Sequence, residues 1–526
     1  MIKNFKWLLL VSLTFIACDK SDEVTNYNSS DGLPLTAGEA DFSNYVSLGN
    51  SLCAGYSDGA LFIKGQQGSY PNILSQQFAL VGGGEFKIPY MNDNLGGFSA
   101  GGAQFSATPV RFYLNGCTLP ELVPGISGTQ LGVSIAANGP YNNTGVPGAK
   151  CIHLVTPGYA GASPYFGRIA TSATQTVLEY ATAQSPTFFS LWIGSNDVLG
   201  YALSGGDGTN PITPSAGSVG VGFDSSYAAI VDGLTANGAK GVVANIPFVS
   251  TIPFFTTIPV KPLAPNLIYV GANLPDANET DCKVVYPVSV NDIAVINNLN
   301  TNLIGVLRQL LTPFGQADRV QFYSTTEANP LLITDESLDD MGANITFAAQ
   351  NSGNPQLVAL APFLGATYGK ARHSKAGDLI LLTTKAAIGS TVPLPASLAS
   401  FSVRGITYPM EDKYVLLPSE ITELNTATTA YNITIKSQAD SHNLAFVDAN
   451  DILTKINSGG IVADSFTLTS AFVSGGVFSL DGVHPSPRGY AFIANKFLEK
   501  INEKYHSNLK GVNVGSYPIL YPYNLP

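Results

Sequence analysis

The sequence predicts an α/β fold, a three-layer sandwich built on a parallel sheet and carrying long insertions. Three observations lead there. The apolar runs Tyr45 to Leu48, Thr187 to Ile193 and Gly241 to Ile246 have the length of buried strands. Each ends in turn-forming residues: Gly49-Asn50-Ser51, Gly194-Ser195-Asn196-Asp197 and Pro247. Helical periodicity separates them, at Tyr70 to Phe78, about Ile169 to Ala183 and Tyr227 to Asn237. Strands alternating with helices give a parallel sheet whose carboxyl ends share one edge.

At 526 residues the chain exceeds one simple core, so we expect a domain enlarged by insertions. Hydrophobic residues make up 45% of it, enough for a packed interior, while charged residues at 12% are sparse. The formal charge of -11, with no basic cluster, argues against nucleic acid as a partner.

The amino terminus reads as a processing signal. Lys3 and Lys6 precede an apolar run from Trp7 to Ala17 that is shorter than the roughly 20 residues of a membrane span. Ile16-Ala17-Cys18 resembles the lipobox of bacterial lipoproteins, which implies signal removal after residue 17 and a lipid anchor on Cys18. Asp19 to Glu23 is similar to an export signal of surface lipoproteins, so the expected location is the outer membrane, facing the periplasm or the cell surface. Residues 18–40 are polar and read as a tether, and residues 41–526 as the folded domain. Cys53, Cys117, Cys151 and Cys282 could form up to two disulfides in an oxidising compartment, with three full pairings open. Their spacing matches no metal site.

Two regions read as insertions. Residues 81–141 are rich in Gly, Asn and Pro and suggest loops and short strands; Gly96 to Gly102 lacks the Lys and helix of a phosphate loop. Residues 250–417 begin with a Pro- and Phe-rich stretch, continue through an amphipathic helix from Ile293 to Leu311, and from 324 read as short strands and turns. A helix from about Ser419 to Ala439, the strand Leu444 to Val447 and a helix from Gly489 to about Tyr505 return the chain to the scaffold.

Chemistry concentrates at the strand ends. Ser51 lies on the turn after the first strand, where a serine is useful as a nucleophile only if a base meets it. Asp481 and His484 stand three apart in a Pro-bounded turn, so the carboxylate can fold back onto Nδ1 and leave Nε2 for Ser51. Gly148 can offer a backbone N–H and Asn196 a side-chain amide to a developing oxyanion. Gly55-Tyr56-Ser57-Asp58-Gly59 fits a rival nucleophile elbow, but it follows no strand and opens no helix, which sets Ser57 aside.

Gly49-Asn50-Ser51-Leu52, Gly148 within Asn143 to Ala149, Gly194 to Asp197, and Asp481 to Pro485 resemble, in order, the four sequence blocks of the SGNH (GDSL-type) serine esterases and lipases. The resemblance covers the scaffold and not the insertions. It implies a flavodoxin-like sandwich with Ser51, Asp481 and His484 as catalytic triad, and Ser51, Gly148 and Asn196 as oxyanion hole. Asn50 departs from the family's usual Asp, at a position outside the triad. The long separation between Ser51 and Gly148 leaves Gly96 or Gly97 as an alternative donor. The implied activity is hydrolysis of carboxylic esters through an acyl-serine, with no cofactor and no metal. The substrate would be a lipid, a small ester or an acetylated glycan. Two alternatives stand beside it: an O-acetyl esterase of carbohydrate, and a catalytically idle surface lipoprotein that binds a partner. Because the insertion after Ile246 leaves a strand's carboxyl end, Phe254, Phe255 and Ile258 are expected to wall the acyl pocket.

Overall fold

The structure is a computed structural model that describes residues 32–115, 120–263 and 293–526. Cys18, the segment read as a signal, Cys117 and Cys282 lie outside the described residues.

Five parallel strands form the central sheet: β1 (Tyr45–Gly49), β2 (Asn143–Gly145), β3 (Phe188–Trp192), β4 (Lys240–Ala244) and β5 (Ala445–Val447). Their spatial order is β2-β1-β3-β4-β5. The chain moves outward one way from β1 to β2, then returns and builds in the other direction from β3. In such sheets a crevice opens at the carboxyl ends of the strands where the order reverses. Here that point lies between β1 and β3, whose last residues Gly49 and Trp192 are paired.

Both faces of the sheet are covered, as all-parallel sheets require. Every residue of β1 and β3 is buried, which explains their mainly apolar character; the buried exceptions are Ser47 and Ser190, the latter hydrogen-bonded to the Tyr45 hydroxyl at 2.7 Å. Phe188, Ser190 and Trp192 point to one face. There Phe188 meets Phe78 of α2 (Tyr70–Ala79) and Tyr505 of α8 (Pro487–Tyr505), with ring centroids 5.5 and 5.7 Å apart. Helices α3 (Val177–Thr182), α5 (Phe223–Thr235) and α6 (Pro418–Ser441) pack together over the opposite face. The arrangement is α/β and compatible with a three-layer fold.

A single turn, α1 (Ser51–Ala54), follows β1 directly. Asn50 caps it, its Oδ1 accepting from the Leu52 N–H at 3.0 Å. The turn sits so close to β2 that a Cβ at Gly145 would lie 2.3 Å from the Ala54 nitrogen. Only glycine permits that approach, and the approach fixes where Ser51 stands.

Several elements differ from the sequence reading. The helix expected from Ile169 to Ala183 begins only at Val177, because Thr176 and Glu179 form a capping box and the Ser- and Thr-rich residues before it favour turns over helix. Residues 342–350 and 355–368 form two packed helices where short strands and turns were expected. The second is apolar nearly all round and contains Pro362, so it shows neither helical periodicity nor an uninterrupted helical composition. With residues 293–311 these helices enclose a separate apolar cluster that includes Ile258, Leu332 and Met410. The tether also ends earlier than residue 40: the Thr36 N–H donates to Asn508 Oδ1 at 2.7 Å and the Glu39 N–H to the Tyr505 carbonyl at 2.7 Å. Finally, Cys53 and Cys151 are free buried thiols, so neither enters the expected disulfides. The Cys53 thiol faces Asn143 Oδ1 at 3.6 Å, and burial pushes its pKa up to about 12.

Candidate active site

Ser51 is the first residue of α1, at the carboxyl end of β1 beside the crevice. Its backbone N–H is among the amides at a helix start that have no intrahelical acceptor. His484 arrives 433 residues later, in the loop before α8, and its Nε2 lies 2.9 Å from Ser51 Oγ. The His484 Nδ1 lies 2.8 Å from Asp481 Oδ2. The structure thus joins Ser51, His484 and Asp481 in one hydrogen-bonded chain.

Asp481 is held from several sides. Its Oδ1 accepts the N–H groups of Val483 and His484, both at 2.8 Å, and the Ser479 hydroxyl at 3.1 Å. Its Oδ2 accepts the Gly59 N–H at 2.9 Å as well as facing His484. Burial alone would raise the carboxyl, but the His484 charge and these donors outweigh it and hold Asp481 below its ordinary value. An ionised Asp481 fixes the ring with a proton on Nδ1 and leaves Nε2 to accept from Ser51.

Gly148 is exposed on the open side of Ser51, with φ +80°, and no atom lies within 4 Å of where its Cβ would be. Asn196 begins α4 (Asn196–Leu203), directly after β3, and donates through Nδ2 to the Ala149 carbonyl at 2.9 Å. That bond ties Asn196 to the loop bearing Gly148 and leaves its second amide hydrogen for another acceptor. The alternatives Gly96 and Gly97 already donate, to Asp93 Oδ1 and to the Leu61 carbonyl, and neither lines the cavities at Ser51.

Two cavities meet at Ser51 and share Leu199, Asn196, Val483 and His484 as a common wall. One is an open cleft of about 730 Å³ that includes Gly148, Tyr56, Phe254 and Lys385. The other is a smaller, more enclosed cavity of about 110 Å³ with apolar walls. The expected acyl wall is corrected here. Phe254 lines the open cleft, whereas Phe255 is buried in the main core and Ile258 in the core of the insertion, and neither is among the described residues that line the two cavities at Ser51. Residues Pro253–Thr256 form a helical turn, which sends successive side chains to different sides.

The stretch set aside as a rival elbow supports the site instead. The Ser57 hydroxyl is buried and donates to the Pro485 carbonyl at 3.0 Å, the Tyr56 ring packs on His484 with centroids 4.6 Å apart, and Gly59 holds Asp481. Asp58 accepts the Leu480 N–H at 2.9 Å and is fully buried. Sequence reasoning missed these roles, and the density of Gly, Ser and Asp in a buried turn was the available signal. Burial, reinforced by Asp481 and opposed by the Leu480 N–H and Arg111, raises the Asp58 carboxyl from 3.8 to about 7. Because the folded value stands above the unfolded one, the folded chain binds the extra proton between them. Stability from this group is therefore present below pH 3.8 and lost as pH rises through about 7. Asp58→Asn keeps the acceptor for Leu480. It is expected to raise Tm at pH 9 by about 2 °C or more and to leave Tm nearly unchanged at pH 4, measured by calorimetry.

Among the described residues, the potential metal donors that cluster are Glu336, Asp412 and Glu420, whose donor atoms lie within 4.8 Å of one another and which do not line the cavities at Ser51. Burial and then Glu336 raise Asp412 to about 8 and Glu420 to about 9, while Glu336 itself is lowered.

No family model matches the chain, and no curated protein or solved structure is significantly similar to it.

Proposed function

We propose that the protein is a serine hydrolase of carboxylic esters, a lipase or esterase of the SGNH (GDSL) type, working through an acyl-serine intermediate. The observation that carries this reading is the chain from Asp481 through His484 to Ser51, with both links under 3 Å, placed where two cavities meet.

Ser51 Oγ attacks the ester carbonyl as His484 Nε2 takes its proton, and Asp481 stabilises the imidazolium that forms. The carbonyl oxygen becomes an oxyanion facing the N–H groups of Ser51 and Gly148 and the Asn196 amide. Collapse breaks the ester C–O bond, and His484 returns its proton to the departing alcohol. Water then attacks the acyl-serine with His484 again as base, which frees the acid and restores Ser51. No step calls for a cofactor or metal. Labelling of Ser51 by a fluorophosphonate probe tests the reading; a folded protein whose Ser51 stays unlabelled would overturn it. Asn196→Ala is expected to keep that labelling yet lose about 10²–10³ in kcat on a nitrophenyl ester, the scale for one oxyanion donor.

A second reading, an O-acetyl esterase of polysaccharide, is favoured by the aromatic side chains Tyr56, Phe112, Tyr165, Phe254 and Phe472 along the open cleft, which suit sugar rings. Release of acetate from acetylated oligosaccharides, compared with nitrophenyl esters, separates the two.

The lipobox-like segment supports anchoring of the enzyme to the outer membrane through Cys18. Cys18→Ala is expected to abolish incorporation of labelled palmitate and to move the protein from the membrane fraction, checked by fractionation of expressing cells.

A further inference from the structure

We propose that the smaller cavity is an acyl chamber that selects acyl groups of about four to six carbons, an inference that rests on the serine-hydrolase reading and adds its substrate class. One end of the cavity is Ser51, Asn196 and His484. Away from that end the wall is apolar apart from Lys496, whose ammonium donates to Glu499 at 2.7 Å. Val249 and Ile252 come from the turn after β4, Leu453 and Ile456 from α7 (Ala449–Ser458), Phe478 from the strand-like stretch before Asp481, and Phe497 from α8. All six are at least nine-tenths buried. The chamber therefore lies on the β4 and β5 side of Ser51, not at Phe255 and Ile258.

Which substrate part enters follows from the order of bond making and breaking. The alcohol must depart and water must arrive between acylation and deacylation, and both pass readily through the open cleft bearing Gly148 and Lys385. The acyl group stays bonded to Ser51 Oγ through both steps, so it can fill a mainly apolar cavity without blocking the exchange of alcohol for water. Size sets the chain length. An apolar cavity of about 150 Å³ holds the six carbons of benzene, so a volume of about 110 Å³ suits a chain of about four to six carbons. A bound acetyl group would leave most of that apolar wall without contact.

The test uses the purified full chain and nitrophenyl esters from acetate to palmitate. Expected is a kcat/KM that rises about fourfold per methylene, the equivalent of about 0.8 kcal/mol, up to butanoate or hexanoate, and falls for palmitate. Ile456→Trp should fill the chamber and lower the hexanoate-to-acetate ratio more than tenfold. Leu453→Ala should enlarge it and move the optimum to longer chains. If Ser51 labels with a fluorophosphonate and acetate is turned over, but the profile is flat and neither variant moves the ratio, the chamber is wrong and the hydrolase reading stands. Absence of Ser51 labelling in the folded wild type would overturn both.

Discussion

Ser51→Ala is expected to lower turnover of a nitrophenyl ester by about 10⁶, the scale measured for a triad nucleophile in a serine protease. The substitution removes only Oγ, whose bond to His484 Nε2 spans 2.9 Å, and alanine suits the first position of α1. Tm should therefore change little, and fluorophosphonate labelling should vanish. His484→Ala is expected to cost nearly as much, because Ser51 then has no base. Retained activity in a folded Ser51→Ala protein would remove the nucleophile from the mechanism and the functional reading with it.

Asp481→Asn is expected to reduce kcat by about 10⁴, the scale for reversing a triad tautomer. The reason lies in the donors around the carboxylate. Oδ1 accepts from the Val483 and His484 N–H groups and Ser479, and Oδ2 accepts from Gly59 while facing His484 Nδ1. Asparagine can satisfy the first set only by turning its amide nitrogen toward Gly59 and His484. Nδ1 is then forced to accept, the ring proton moves to Nε2, and Ser51 meets a donor in place of a base. The amide also opposes the Gly59 N–H, so a half-buried donor loses its acceptor and Tm should fall, by an amount corresponding to about 1 kcal/mol. Unchanged kcat with a folded chain would show that Asp481 does not orient the base. Asp481→Glu tests geometry separately, since it keeps the charge and lengthens the reach.

The chemistry of the site depends on a few turns that the sheet brings together. Ser51 follows β1, Asn196 follows β3, and Gly148 follows β2, so three neighbouring strands deliver three of the groups to one edge. The remaining pair comes from the loop before α8, which packs against α2 and β5.

Local sequence determined what depends on local physics. Mainly apolar runs marked β1, β3 and β4 because strands covered on both faces carry few polar residues. Three-residue spacing in a Pro-bounded turn marked Asp481 and His484 as partners, since so short a turn leaves the carboxylate within reach of the ring. The tertiary structure decided everything that requires distant residues to meet. The 433-residue gap between Ser51 and His484 closes only through the strand order. The positions of Gly59, Ser57 and Ser479 beneath the Asp481 loop follow from packing that no period encodes. The helices at 342–350 and 355–368 were hidden because their apolar character is spread around their circumference. The apolar cavity was hidden for a related reason: Val249, Leu453, Phe478 and Phe497 read one by one as core residues. Whether an apolar side chain fills a core or walls a cavity is set by the volume its neighbours leave empty, a property of the assembled fold and not of any segment.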